Sequence, residues 1–186
     1  KHFGTSSLKG FGIQGMDNGI IAAGSILHYL DITQHEKLNH ITRIARIEAK
    51  DYVWLDKFTI RNLELFFSPY DNAHTLIDVL DKTIGPMGGR MLKKWISLPL
   101  KDKKKIDDRL SAVKYLIENQ SYREEIFNGI RTIGDLERLI SKVATGRINP
   151  REVVQLKRAL ETIKPIKESC IKTGCAPLVK AGKQLD

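Results

Sequence analysis

Apolar residues recur every three or four positions through the second half of the chain. Ile106, Leu110, Val113 and Leu116 form one stripe. Leu136, Leu139, Ile140 and Val143 form a second, and Val153, Leu156, Leu160 and Ile163 a third. That spacing follows the helical turn, so each segment reads as a helix with one buried face. Special residues punctuate the pattern. Gly85 precedes Pro86, and proline suits the first helical position, so a helix begins there, runs to about Ser97 and stops at Pro99. Asp102, Ser121 and Asp135 stand where the next three helices need an N-cap. Pro150 opens a long helix that Pro165 kinks or ends, and TGCAPLVKAG either starts another helix or frays.

Upstream the pattern changes. FGTSSLKGFGIQG, rich in Gly and Ser, reads as a loop or the tail of a preceding domain. In GIIAAGSILHYLDITQ, Ile20, Ala23, Gly24, Leu27 and Leu30 share one helical face, with Gly24 marking close packing. ITRIARIEAKDYVWL is rich in β-branched and aromatic residues and predicts one or two short strands. Asp56 then caps a short helix in FTIRNLEL, SPYDNAH forms a surface turn, and Thr75 caps TLIDVLDKT. The fold class expected is mainly α, a multi-helix core with a short strand element before it. Each helix has a single stripe, so the helices must bury their stripes against each other.

Composition sets the class. Apolar residues make up 41% of the 186, enough for a core. No apolar run approaches the roughly 18 residues of a membrane span, and Lys1 opens the chain without a signal-peptide pattern. A soluble, cytoplasmic piece of something longer is expected, with no membrane partner. Cys170 and Cys175 are too few for a disulfide framework or a four-ligand zinc site and read as reduced thiols. His2, His28, His35, His40 and His74 are scattered in no metal-ligand spacing.

Charge is uneven. Residues 1–85 hold 9 basic and 10 acidic side chains, whereas residues 86–186 hold 22 and 12. The basic half suits a polyanion such as DNA, and solvated helix faces explain it equally well. Within it Lys101, Lys103, Lys104 and Lys105 surround a helix start, where partial positive charge already favours phosphate. They are the candidates for DNA-backbone contact, with plain solvation as the alternative.

The stretch GPMGGRMLKKWISLPL allows two readings. A phosphate loop needs its second glycine one position later, then lysine and a hydroxyl, between a strand and a helix. Here Gly89 comes too early, Arg90 replaces the lysine, Met91 stands at the hydroxyl position, and the preceding segment reads as helix. Packing explains more. Gly88, Leu92 and Trp95 fall on one face, where a missing side chain lets another helix approach and offsets glycine's cost of about 1 kcal/mol. Trp95 becomes a buried anchor. Arg90 and Lys93 lie on other faces, free to pair with carboxylates such as those of DLER.

Catalytic groupings are weak. No nucleophile sits in an elbow or thiol motif, and Asp107 and Asp108 point to different helix faces. Asp135 and Glu137 read as a cap and a first-turn carboxylate. No catalytic, cofactor-binding or metal residue is expected in this chain.

Three segments carry a resemblance: YVWLDKFTIRNLEL, then LIDVLDKTIGPMGGRMLKKWISLPLKDKKKIDDRLSAVKYL, then IGDLERLISKVATGRINPRE. In order and spacing, across roughly residues 50–155, they resemble the middle of the MutS family of DNA mismatch-recognition ATPases. FGTSSLKGFG and AAGSILHYL resemble the end of that family's connector domain. The resemblance implies a connector tail over residues 1–40 and, over 41–186, the first half of a helical core and lever domain, truncated before the DNA clamp. It implies a structural module linking DNA clamping to the ATPase. A non-specific DNA-backbone-binding helical domain is the alternative. Pro86, Gly89, Arg90, Trp95, Pro99, Leu100, Arg109, Asp135, Glu137, Arg138, Pro150 and Arg151 are the signature positions, with a framework role expected. No Phe-x-Glu reading motif, Walker A loop or ATPase signature occurs in the sequence, so ATP and Mg, mismatched duplex DNA, a homodimer partner and MutL are expected of the parent protein. Lys93 and Lys94 stand where arginine is common in the family, and Gly85 where threonine or a similar residue is usual.

Overall fold

Short-range chemistry sets the helix ends. The Asp56 carboxylate accepts from the Thr59 N–H at 2.6 Å and opens α2 (Lys57–Asn62). Thr75 and Asp78 exchange hydrogen bonds in a capping box at the start of α3 (Leu76–Leu80). Gly85 and Pro86 begin α4 (Pro86–Ser97), and Asp102 accepts from the Lys105 N–H at the start of α5 (Lys103–Glu118). Ser121 is not a cap, because α6 (Gln120–Ile133) starts before it, with Asn119 at the N-cap position. α7 (Leu136–Ala144) follows directly after Asp135, and α8 (Pro150–Lys172) opens at Pro150. The tail forms α9 (Ala176–Lys183).

This computed structural model describes residues 2–5, 7–33, 38 and 41–185, so the readings that touch Ser6, Gln34, His35 and His40 lie outside the described residues. The chain forms two compact units. One comprises Lys1–Glu48 and Arg138–Asn149, the other Ala49–Glu137 and Pro150–Asp186.

In the first unit the main element is α1 (Asp17–Ile32). Ile20, Ala23, Leu27 and Leu30 are half-buried, as their spacing predicts. Gly24 is different. A Cβ built there would meet no atom within 4 Å, so it marks open space and not close packing. The expected strands are absent among the described residues. Residues 41–48 carry no ladder, and Ala49–Asp51, where the second unit begins, form a single 3-10 turn.

In the second unit the strand element shrinks to one antiparallel bridge, Tyr52 to Leu100, flanked by hydrogen bonds from Val53 N–H to the Pro99 carbonyl (2.7 Å) and from Lys101 N–H to the Asp51 carbonyl (3.2 Å). Pro99 has no N–H to extend the ladder, and α4 and α5 leave only a few residues between them. α8 packs on α6 and α9, and α5 packs on the same two helices. Its inward face is Leu156, Ala159, Ile163, Ile166 and Cys170, with Ala159 fully buried, while Val153 and Leu160 are exposed. The helix continues through exposed Pro165 to Lys172. On α5, Ile106, Leu110 and Val113 face outward, and Arg109, Ala112 and Leu116 are half-buried instead. Two glycines mark the closest helix approaches. A Cβ on Gly129 would lie 2.8 Å from Ile166 Cδ1, and one on Gly182 would lie 2.8 Å from Cys170 Cβ and 3.1 Å from the Lys167 carbonyl.

Candidate functional site: an arginine fork on α4

The glycines of α4 make room for a loop, not for a helix. A Cβ on Gly88 would meet Thr83 Cβ at 3.1 Å, and one on Gly89 would meet the Asp81 carboxylate at 3.2 Å. Asp81 in turn accepts from the Thr83 hydroxyl (2.6 Å) and N–H (3.0 Å). Those two bonds, the hydroxyl first, hold Asp81 below the ordinary aspartate value of 3.8. An ionised carboxylate thus sits over the surface that a phosphate cradle would need. The donor set does not fit ATP or its Mg.

Arg90 leaves the same helix on another side and closes on two carboxylates. Nη1 and Nη2 donate to the two oxygens of Asp135 at 3.1 and 2.7 Å, while Nε and Nη2 donate to Glu137 Oε2 at 2.9 and 2.6 Å. The planar guanidinium suits this two-sided grip, which lysine's single nitrogen cannot reproduce. Asp135 first, then Glu137, push the Arg90 guanidinium above its ordinary range. Arg90 remains 48% exposed and Asp135 22%, so the fork is a partly wetted junction, not a buried charge pair. Gly134, just before Asp135, has φ of +68°, a conformation that glycine adopts without strain. It turns the end of α6 so that Asp135 and Glu137 present together.

Five residues beyond Arg90 on α4, Trp95 is 43% exposed, so it is not a buried anchor. Its ring lies under the Arg109 guanidinium of α5, 3.7 Å from the centroid, a cation–π contact that joins the two helices at the surface. Leu100 and Pro99 meet the Tyr52 segment in the bridge. Arg138 is exposed on α7, and Pro150 and Arg151 are exposed in the first turn of α8. The structure therefore joins Arg90 with Asp135 and Glu137, and Trp95 with Arg109. In the lysine cluster, Lys103 pairs with Asp107 and Lys105 lies 3.8 Å from Asp51, while Lys101 and Lys104 are exposed. Among the described residues no three His, Cys, Asp or Glu side chains are placed to hold a metal, and no helix is long and apolar enough to cross a membrane.

The family model for MutS domain III matches residues 58–184. The chain belongs to the MutS domain III family. Its curated relatives include the DNA mismatch repair protein MutS of Bacteroides fragilis, 55% identical over 186 residues, all of this chain and 22% of that protein. The MutS of Christiangramia forsetii is 55% identical over 184 residues, 99% of this chain and 21% of that protein. The MutS of Flavobacterium johnsoniae is 56% identical over 167 residues, 90% of this chain and 19% of that protein. The chain thus spans about a fifth of the length of the MutS relatives it matches. This MutS domain III segment also has junctions that sequence reading missed. Tyr122 donates its hydroxyl to Cys170 Sγ at 3.3 Å, and burial first, then that bond, push the hydroxyl above its ordinary 10.0. Gly129, in register with half-buried Tyr122 and Ile126, is a signal that was available: a small residue in the middle of an inward helix face.

Proposed function

We propose that this chain is a structural core and lever segment of a MutS protein, linking the grip on mismatched duplex DNA to ATP hydrolysis carried out elsewhere in the polypeptide. Residues 1–40 are read as the end of a connector domain, and 41–186 as the first half of the helical core. The Arg90 fork carries this reading. It spends the charged side chain of a Gly-Arg helix on tying α4 to the start of α7, a framework task, and a carboxylate occupies the neighbouring glycine surface. Packed helices joined by such polar junctions have discrete arrangements, which is what relaying a change between distant sites requires. The relatives' name, DNA mismatch repair protein MutS, supports mismatched DNA as the partner of the whole protein. A homodimer partner, MutL, ATP with Mg, and a cytoplasmic, nucleoid-associated location belong to the same proposal.

A second reading, DNA-backbone binding by this segment itself, draws on exposed Lys101 and Lys104. It is weakened by the acidic partners of Lys103 and Lys105 and by Asp102 at the α5 start. Two assays on the 186-residue chain separate the readings. A framework segment neither hydrolyses ATP above background nor binds duplex DNA. Submicromolar binding that weakens steeply with salt establishes the second reading, and ATP turnover overturns both.

A further inference from the structure

Asparagine is a labile residue, and most so before glycine, whose backbone nitrogen can reach the side-chain amide with no Cβ in the way. The chain holds two such pairs, Asn18–Gly19 and Asn128–Gly129. The structure treats them differently. Asn128 lies in the middle of α6, where the Gly129 N–H is committed to the helical ladder. Gly129 is also packed, since a Cβ there would lie 2.8 Å from Ile166 Cδ1. Asn18 and Gly19 are the second and third residues of α1, and both are exposed. The N-cap of α1 is Met16, and no side chain caps this helix start. The first-turn backbone bond runs from the Ile20 N–H to the Met16 carbonyl at 2.8 Å, which leaves the Gly19 N–H among the donors that a helix start does not use. No hydrogen bond holds the Asn18 amide among the described residues. An uncapped first turn opens at little cost, and once it is open Asn18 can turn its Cγ onto the Gly19 nitrogen.

We propose that Asn18–Gly19 is a self-modifying site, where an intramolecular acyl transfer converts the neutral Asn18 amide into a carboxylate. The Gly19 nitrogen gives up its proton to water and bonds to Asn18 Cγ, closing a five-membered imide. The Asn18 Nδ2 group takes up a proton and leaves as ammonia. A water molecule then opens the ring. Breaking the new N–Cγ bond leaves an aspartate in an unchanged backbone. Breaking the original peptide C–N bond leaves an isoaspartate, whose backbone is one carbon longer. The balance is one water taken up and one ammonia released. The aspartate product puts a negative charge beside Asp17 in the first turn of α1, where the helix dipole favours it. The isoaspartate product breaks the helical repeat, so α1 then starts beyond it. This goes beyond the proposed relay role and does not depend on it.

The test is peptide mapping by mass spectrometry on the full MutS polypeptide, aged in mildly alkaline buffer either folded or unfolded in urea. Conversion is read as the mass shift from amide to acid, and backbone fragmentation separates aspartate from isoaspartate. In the folded protein Asn18 should convert at least about tenfold faster than Asn128. In urea the two rates should converge to within about threefold, because each pair is then an open Asn-Gly. No conversion of Asn18, or equal rates in the folded protein, overturns the proposal. A preference for Asn18 that persists undiminished in urea also overturns it, because local sequence and not the fold then selects the site. Met16→Ser supplies the missing cap. Met16 is 38% exposed, and a serine hydroxyl at the N-cap accepts from the N–H of the third helical residue, which is Gly19. This variant should slow Asn18 at least about threefold and leave Asn128 unchanged. A rate at Asn18 that the cap does not move overturns the open first turn as its cause.

Discussion

Arg90 bonds two carboxylates from one plane, and the consequence is testable at the level of the side chain. Exposed single ion pairs contribute little to stability, and bidentate networks are the exception. Arg90→Ala, Asp135→Ala and the double variant should form a thermal-melting cycle whose effects are clearly non-additive at low salt and converge toward additivity at about 1 M, where the Debye length falls to about 3 Å. Arg90→Lys should recover less than half of the loss. Additive effects at every salt concentration would remove the fork from the framework. Asp56, Asp78 and Asp81 are each held below 3.8 mainly by bonds from Thr59, Thr75 and Thr83. A carboxylate depressed in the folded state stabilises it above the unfolded pKa, and that contribution is lost as pH falls through the folded value. Stability measured by urea titration should therefore fall between about pH 5 and pH 3, and Asp78→Ala, weaker at neutral pH, should fall less steeply over the same range. An unchanged slope in Asp78→Ala would show that the capping box does not contribute to acid sensitivity.

At the scale of elements, what was legible in the sequence follows from the range of each interaction. Asp56, Thr75, Pro86, Asp102 and Pro150 act within about one turn of their own position, and the helix starts beside them follow from local chemistry. Facing is not local. α8 turns Ala159 and Ile166 inward and Val153 and Leu160 outward because α6 and α9 meet it around Gly129 and Gly182. α5 offers two apolar sides, and its own sequence does not say which one its neighbours take. Trp95 was misread for the same reason, since the cation that covers it comes from α5. Ser121 is not a cap because α6 has already begun at Gln120. The glycines give a direct check. Gly24→Ala fills open space and should stabilise α1 by up to about 1 kcal/mol. Gly182→Ala meets Cys170 Cβ and a backbone carbonyl, and should destabilise by about 1–3 kcal/mol in urea unfolding followed by circular dichroism. Equal effects at the two sites would contradict the α8–α9 packing described above.

For the whole molecule, few side chains are buried. Leu65, Ile77, Ala159, Cys170 and Cys175 make up the buried apolar set of the second unit, and Ile13 that of the first, among the described residues. Large apolar side chains from Trp54 to Leu160 remain exposed, in a chain that spans about a fifth of its MutS relatives' length. That balance suits a segment whose role is defined by what it joins, whereas charge alone leaves DNA binding and plain solvation of the helix faces equally open. The most direct measurement is made in the full MutS polypeptide with Arg90→Ala: affinity for a mismatched duplex, with and without ATP. The framework account expects nucleotide-free affinity to stay within about twofold of the unsubstituted protein, while the ATP-driven change in affinity shrinks at least about fivefold. An ATP response of full size, with the fork shown by melting to be broken, would contradict it.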